Sequence, residues 1–196
     1  MIEHYFSRKP RASNHPGKAY IRFEDQLFLF HTDASVFSKD RIDKGTKLLI
    51  RECKLPEKGS VLDIGCGYGP VGIALAARHP ELSFTLSDIN QRALELARKN
   101  AEENKVKVEI VESDLFEKLG KSDCILSNPP QHAGKELCFK LIEQSKGHLN
   151  KGGTLQLVVR HQKGGRHLSQ KMKEVFGNLE DIGREAGYHI YLSRKE

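Results

Sequence analysis

Three carboxylates and one asparagine recur at intervals that suit a binding site. Asp63, Asp88 and Asp114 stand 25 and 26 residues apart, and Asn128 follows in the tripeptide Asn128-Pro129-Pro130. Just after Asp63 comes a glycine turn, Gly65-Cys66-Gly67-Tyr68-Gly69-Pro70. Glycines permit a tight turn and let backbone amides approach a ligand closely. The spacing is G-x-G-x-G, whereas a dinucleotide fingerprint needs G-x-G-x-x-G with amides facing a pyrophosphate. Pro70 holds the sixth position and has no amide hydrogen to donate. A carboxylate at Asp63 would repel a phosphate and attract a cation.

The turn therefore suits a small cationic ligand better than a dinucleotide. S-Adenosyl-L-methionine fits that description: it carries an ammonium and a sulfonium and has no phosphate. Asp88, 23 residues after Gly65, is placed to accept both ribose hydroxyls. Asn128 suggests the acceptor. Pro129 excludes helical geometry at Asn128, and two prolines keep the backbone extended, with its carbonyls unpaired. The Asn128 side-chain oxygen and a nearby carbonyl then become fixed acceptors for a planar amine. The lone pair of such an amine is delocalised into its ring or amide. Two hydrogen bonds from its protons localise that pair and aim it at a methyl group, each contributing about 1–3 kcal/mol in a dry site. No strong general base is needed, because the proton leaves after the nitrogen has become cationic.

These residues require a scaffold, and the chain supplies a rhythm of elements. SVLDIG, SFTLSD, VKVEIVESD, DCILS and GTLQLVVR read as short, nearly continuous apolar strands. Helices read over PVGIALAARH, from Asn90 as cap, from Gly134 to His148 and over 165–176, with two weaker strands near 178–184 and 187–193. Alternating strands and helices with strands this apolar predict an α/β fold, a doubly wound and mostly parallel sheet covered on both faces. Such sheets bind ligands at the carboxyl ends of their strands. Asp63, Asp88, Asp114, Asn128 and Arg160 all fall at such ends. Ahead of this core, AYIRF and QLFLFHT predict a β-hairpin, and Asp43 caps a predicted helix running to Cys53. We expect an N-terminal extension over 1–55 packed on a core domain over 56–196.

VLDIGCGYG, SDIN, SDLFE and NPP, in that order, resemble the class I S-adenosylmethionine-dependent methyltransferases with an Asn-Pro-Pro motif. The upstream segment DASVFSKDRIDKGTKLLI is similar to the small-subunit ribosomal RNA guanine-N2 methyltransferases and their short single-domain archaeal relatives. The resemblance implies a seven-stranded sheet with its last strand antiparallel, and methylation of an exocyclic base amine. It implies that Gly65, Gly67 and Gly69 line the methionine part of the cofactor, with Asp63 beside its ammonium. Asp88 and the adjoining Ile89 would take the ribose, Asp114 with Leu115 the adenine, and Asn128 with Pro129 the amine. Pro130, Lys39 and Asp43 would shape the base pocket. Related enzymes place an aromatic residue after the prolines to stack on the base. This chain has Gln131 and His132, so stacking must come from elsewhere, from Phe37 or His132. Guanine N2, cytosine N4 and adenine N6 all remain open as acceptors, with small-subunit rRNA guanine or cytosine as the leading reading. Two alternatives stand beside it: a protein glutamine-amide N-methyltransferase, and a non-catalytic RNA-binding assembly factor that keeps the cofactor fold.

Charge points to the same partner. The net charge is +6, with the basic residues concentrated in 1–60 and 151–176 and the centre mildly acidic. Such segments suit a polyanion such as RNA. Arg160, Lys163 and Arg166 leave a strand at the active-site edge and read as a phosphate grip. Arg8, Lys9, Arg11 and Lys18 read either as an RNA-holding arm or as plain tail. His31 could act as a base or stacker, or be an ordinary hydrogen-bonded histidine. The four cysteines form no Cys-x-x-Cys pair, so reduced packing residues are expected and a metal site is not. No apolar run is long enough to span a membrane and the start lacks a signal-peptide core, so a cytoplasmic protein is expected. Oligomeric state is not legible.

Overall fold

The computed structural model describes residues 17–23, 25–33, 42–130 and 134–196. Arg8, Lys9, Arg11, Phe37, Lys39, Gln131 and His132 lie outside them. Seven strands form one sheet: β3 (Gly59–Ile64), β4 (Leu82–Asp88), β5 (Glu109–Glu112), β6 (Ser122–Ser127), β7 (Leu149–Arg160), β8 (Glu180–Glu185) and β9 (Tyr188–Arg194). Their spatial order is β5-β4-β3-β6-β7-β9-β8. The first five run parallel, and β9 runs antiparallel to both β7 and β8.

Side chains alternate across this sheet because successive Cβ atoms point to opposite faces. On one face Val61, Phe84, Leu86, Leu126, Val158 and Ile190 are buried with residues of three helices: α1 (Lys44–Glu52), α2 (Pro70–Arg78) and α3 (Gln91–Glu103). On the other, Leu62, Ile125, Leu155, Leu157 and Val159 meet α4 (Lys135–Ser145) and α5 (Arg166–Phe176). α2 is buried from Pro70 to Ala76, which explains why its sequence is apolar all round. The Asn90 side chain caps α3, accepting from the Arg92 and Ala93 amides.

The hairpin of β1 (Gly17–Phe23) and β2 (Gln26–Thr32) lies on α3. Two asparagines one turn apart, Asn100 in α3 and Asn104 at its C-terminal cap, serve the outer edge of β2 as a strand would. Asn104 exchanges hydrogen bonds with the Leu29 backbone, and Asn100 does the same with His31. Buried Gln156 similarly holds the Lys54 backbone, tying the exit of α1 to the middle of β7.

Two boundaries differ from expectation. β5 covers only Glu109–Glu112, because at the sheet edge it pairs solely with Thr85–Asp88 of β4. Asp114 therefore sits in the loop beyond β5, not at its end. β7 begins four residues early, at Leu149, where it already pairs with Ser122.

Candidate active site

The chain passes from β3 through β4 to β5 on one side of the sheet, then returns to β6 and β7 on the other. The crevice at such a reversal is where open α/β sheets bind ligands. A cavity of about 420 Å³ lies there. Across the sheet its wall takes residues in spatial order: Asp114 beyond β5, Asp88 from β4, Asp63 from β3, Asn128 beyond β6 and Arg160 from β7. Gly65, Gly67, Ile89, Leu115, Pro129, Pro130 and Asp43 also line it. Among the described residues its charged lining is four aspartates against one arginine.

The glycine turn has the positive φ angles that require glycine, +70° at Gly65, +58° at Gly67 and +88° at Gly69. Its amides are already engaged, contrary to the expectation that they would meet the ligand. Gly65 and Cys66 N–H donate to the Ser87 carbonyl, Gly67 N–H to Asp88 Oδ2 and Gly69 N–H to the Cys66 carbonyl. A turn with these donors satisfied is no phosphate cradle, which strengthens the case against a dinucleotide. Gly69 does not line the cavity. A Cβ there would come within 2.8 Å of Ile73 and 3.2 Å of Leu86, so this glycine lets the turn close onto β4. Beside Gly67, by contrast, the space is open.

Asp63 is 2% exposed and accepts the Gly72 amide of α2 at 2.9 Å. Burial pushes its carboxyl up from 3.8 to about 7, and the nearby Asp88 adds to this. Asp88 is held up too, chiefly by burial, against amide hydrogen bonds that favour its charge. Its two oxygens accept Gly67 N–H and Asn90 N–H, both at 2.9 Å, so it ties the glycine turn to the α3 cap. The Ile89 amide also favours its charged form, and a carboxylate has about four acceptor positions, so capacity remains for a ligand.

Asn128 Nδ2 donates to Thr46 Oγ1 at 3.1 Å and to Asp43 Oδ2 at 3.3 Å. Asp43 also caps α1, its Oδ1 accepting Gly45 N–H at 2.8 Å and Thr46 N–H at 3.2 Å. Between them, Gly45 abuts the Tyr188 ring, where a Cβ would lie 2.7 Å from two ring carbons. The Arg160 guanidinium in turn lies 5.1 Å from the centre of that ring. Sequence reasoning missed Thr46, Gly45 and Tyr188. The only signal for Gly45 and Thr46 was the Asp43-Lys44-Gly45-Thr46 run within the family-like segment, and Tyr188 had none.

Lys163, in the turn after β7, and Arg166, the first residue of α5, are not on the cavity wall. That turn, His161–Gly165, is kinked, with Gly164 at φ +96°. His31 is a hairpin residue whose ring meets Glu103 at 3.3 Å, away from the cavity. Lys18 is exposed on β1. All four cysteines are free. Among the described residues no three metal-ligating side chains cluster, and no helix is long and apolar enough to cross a membrane.

A sheet of this order with β9 reversed, and an acidic crevice at its turning point, defines the architecture of a class I methyltransferase. The sequence profile of the methyltransferase small domain family matches residues 28–192, and the chain belongs to that family. The Bacillus subtilis protein YbxB is 36% identical over 200 residues, the whole length of both chains. Ribosomal RNA small subunit methyltransferase C of Haemophilus influenzae (strain PittGG) is 44% identical over 129 residues, 63% of this chain and 39% of that one. The Hamiltonella defensa enzyme of the same name is 37% identical over 87% of this chain and 51% of its own. The chain thus spans about half or less of the length of these two. Among solved structures, the T. thermophilus 16S rRNA methyltransferase RsmC, determined with AdoMet and guanosine, superposes with a TM-score of 0.80. It is 23% identical, over 95% of this chain and 52% of that one.

The protein is a methyltransferase domain, and S-adenosylmethionine is the methyl donor of this family. The residues present fit that donor. Asp63, Asp88 and Asp114 line the cavity where the donor's ammonium and sulfonium need negative neighbours, and the open space at Gly67 leaves room for it. Ser87 also lines the cavity, and its buried Oγ is the one buried side-chain polar atom among the described residues that lacks a partner. Leaving such a group unsatisfied costs about 1–3 kcal/mol.

Proposed function

We propose that this protein methylates an exocyclic base amine in RNA, in small-subunit rRNA at guanine N2 or cytosine N4, and that it acts in the cytoplasm. The observation that carries this reading is Asn128: its NH2 is turned to Asp43 and Thr46, leaving its oxygen as an acceptor at the cavity. When bound, S-adenosylmethionine supplies an electrophilic methyl on a sulfonium. Asp63 meets the ammonium of its methionine part, Asp88 its ribose, and Asp114 with Leu115 its adenine. Asn128 Oδ1 and the Pro129 carbonyl accept the two amine protons, so the nitrogen lone pair points at the methyl carbon. The carbon–nitrogen bond would form as the methyl–sulfur bond breaks and the thioether leaves; positive charge would grow on nitrogen, both hydrogen bonds would strengthen, and the surplus proton would then pass to solvent. Interactions of that kind lower the barrier more than they tighten the ground state.

Arg160 over Tyr188 replaces the missing aromatic after the prolines. A guanidinium plane stacks on a base as an aromatic ring does, and this one is steadied by the ring beneath it. Lys163 and Arg166 continue outward from it along the phosphate backbone. The relatives named for rRNA methylation favour RNA over a glutamine side chain, as does Gln131 in place of an aromatic.

Nucleoside mass spectrometry of rRNA from cells lacking this protein should show loss of one N-methylated nucleoside. Complementation with Asn128→Ala should fail to restore it, while the purified variant keeps its fold and cofactor affinity. Single-turnover transfer should fall about 10²–10³-fold, the range for loss of one preorganised partner. Full restoration by the variant would reduce Asn128-Pro129-Pro130 to a turn.

A further inference from the structure

A primary amide has nearly the same shape either way round, so only its hydrogen-bond partners decide which end faces a ligand. We propose that Asp43 and Thr46 are positioning residues that fix the polarity of Asn128, turning its oxygen and not its NH2 toward the acceptor amine. This rests on the amine-methylation reading above.

The chain of bonds allows one orientation. Asp43 as a carboxylate can only accept. Its Oδ2 receives the Thr46 hydroxyl at 2.5 Å. The single Thr46 hydroxyl proton is thereby committed to Asp43, and only lone pairs of Oγ1 remain for Asn128. Both atoms facing the amide, Asp43 Oδ2 and Thr46 Oγ1, are therefore acceptors, and the end that meets them is the NH2. Asn128 Oδ1 is left for the cavity. In the reverse orientation two acceptors would oppose the carbonyl, and an NH2 would confront the protons of the incoming amine. The carboxylate itself is immobilised, because its other oxygen holds the first turn of α1 through Gly45 and Thr46 N–H. The helix cap and the substrate acceptor are thus one rigid unit, built from residues 85 apart in sequence.

Exchange of donor and acceptor tests this. Asp43→Asn keeps the cap, since asparagine caps a helix as well as aspartate. It sets an NH2 where Oδ2 stood, Thr46 turns its proton to Asn128, and the amide reverses. Asn128→Asp alone puts two carboxylates face to face. In the double variant Asp43→Asn/Asn128→Asp, the new amide donates to the new carboxylate, whose second oxygen again faces the amine. Methyl transfer is measured in single turnovers with labelled S-adenosylmethionine on small ribosomal subunits from cells lacking this protein. Each single variant should fall about 10²–10³-fold, with cofactor affinity within about twofold of wild type. The double variant should recover at least tenfold over either single. A double variant as slow as the two losses combined, or Asp43→Asn at wild-type rate, overturns the proposal.

The amide can also be read without turnover. In ¹⁵N-labelled protein the Asn128 NH2 protons should exchange slowly with solvent in wild type and quickly in Asp43→Asn. Equal exchange overturns the proposal. The changed exchange in a protein that methylates no RNA would sustain the positioning role and refute the substrate.

Discussion

Replacing Asp63 by asparagine should make the empty protein more stable in alkali and a poorer binder of its cofactor. Asp63 has a folded-state pKa of about 7 against an ordinary 3.8, through burial. A raised carboxyl pKa means that the folded state holds the proton more tightly than the unfolded chain. The resulting stability is complete below about pH 4 and is lost progressively as pH rises through 7. The gap of about three pH units, at 1.36 kcal/mol each, is worth at most about 4 kcal/mol at pH 8. Asparagine has the same shape, can still accept the Gly72 amide and never ionises. Urea denaturation of the two apo proteins should therefore converge only toward pH 4, with Asp63→Asn already the more stable by about 1–2 kcal/mol at pH 5 and by up to about 4 kcal/mol at pH 8. Taking the difference between variants cancels the titration of groups common to both. Cofactor binding runs the other way. An ammonium beside Asp63 favours its charged form, so the wild type should release part of a proton on binding at pH 6–6.5. The cofactor's own α-ammonium is still fully protonated there, with a reference pKa near 8. Calorimetry in two buffers of different ionisation enthalpy reads that proton, and Asp63→Asn should show none. Identical stability differences at both pH values, together with buffer-independent heats, would refute the reasoning.

Asp88→Ala should weaken S-adenosylmethionine by about 1–3 kcal/mol in calorimetry, while NAD binds neither protein. Tight NAD binding would sink the assignment of the glycine turn. Replacing Arg160, Lys163 and Arg166 together with alanine should weaken rRNA binding and flatten its dependence on salt, leaving cofactor affinity nearly unchanged. An unaltered salt slope would make the turn after β7 plain surface.

The cofactor half of the site was legible because it is local. β3 and β6 are buried on both faces and so read as apolar runs, and the acids at or just beyond β3, β4 and β5 recur once per βα unit. The Asp43 and Asn90 caps were legible because capping is a matter of one side chain and the next three amides. What was not legible is long-range. G-x-G-x-G announces positive φ angles, but not that the amides between them turn inward to Ser87 and Asp88. Sequence reasoning over-extends β5 because Val106 and Val108 are apolar, yet they pack against the core from the loop that precedes the ladder, which starts at Thr85 and Glu109. Thr46 and Asn128 are 82 residues apart, and Gly45 and Tyr188 farther still, so no window of sequence contains either pair.

That division between local and long-range residues follows the division of labour across the sheet. On the proposed function, donor recognition would come from consecutive βα units, whose spacing is set by the fold itself. Acceptor recognition would be assembled where α1, the end of β6 and the β7–β9 pair meet at the cavity. The charge pattern marks the same boundary. Asp114, Asp88 and Asp63 lie on one side of Asn128, and Arg160 on the other. A cationic donor and a polyanionic acceptor would each be drawn to its own side of the cavity. Asn128 stands where the sign changes, with its NH2 fixed by an anionic helix cap. Its oxygen is then neutral overall yet firmly oriented. A carboxylate in its place would pull the cofactor's sulfonium toward the acceptor subsite in the ground state, whereas an oriented amide adds its attraction only as the amine becomes cationic. On that argument the tether from Asp43 and Thr46 lets a neutral side chain hold an acceptor as firmly as a charged one would, with its stabilisation reserved for the transition state.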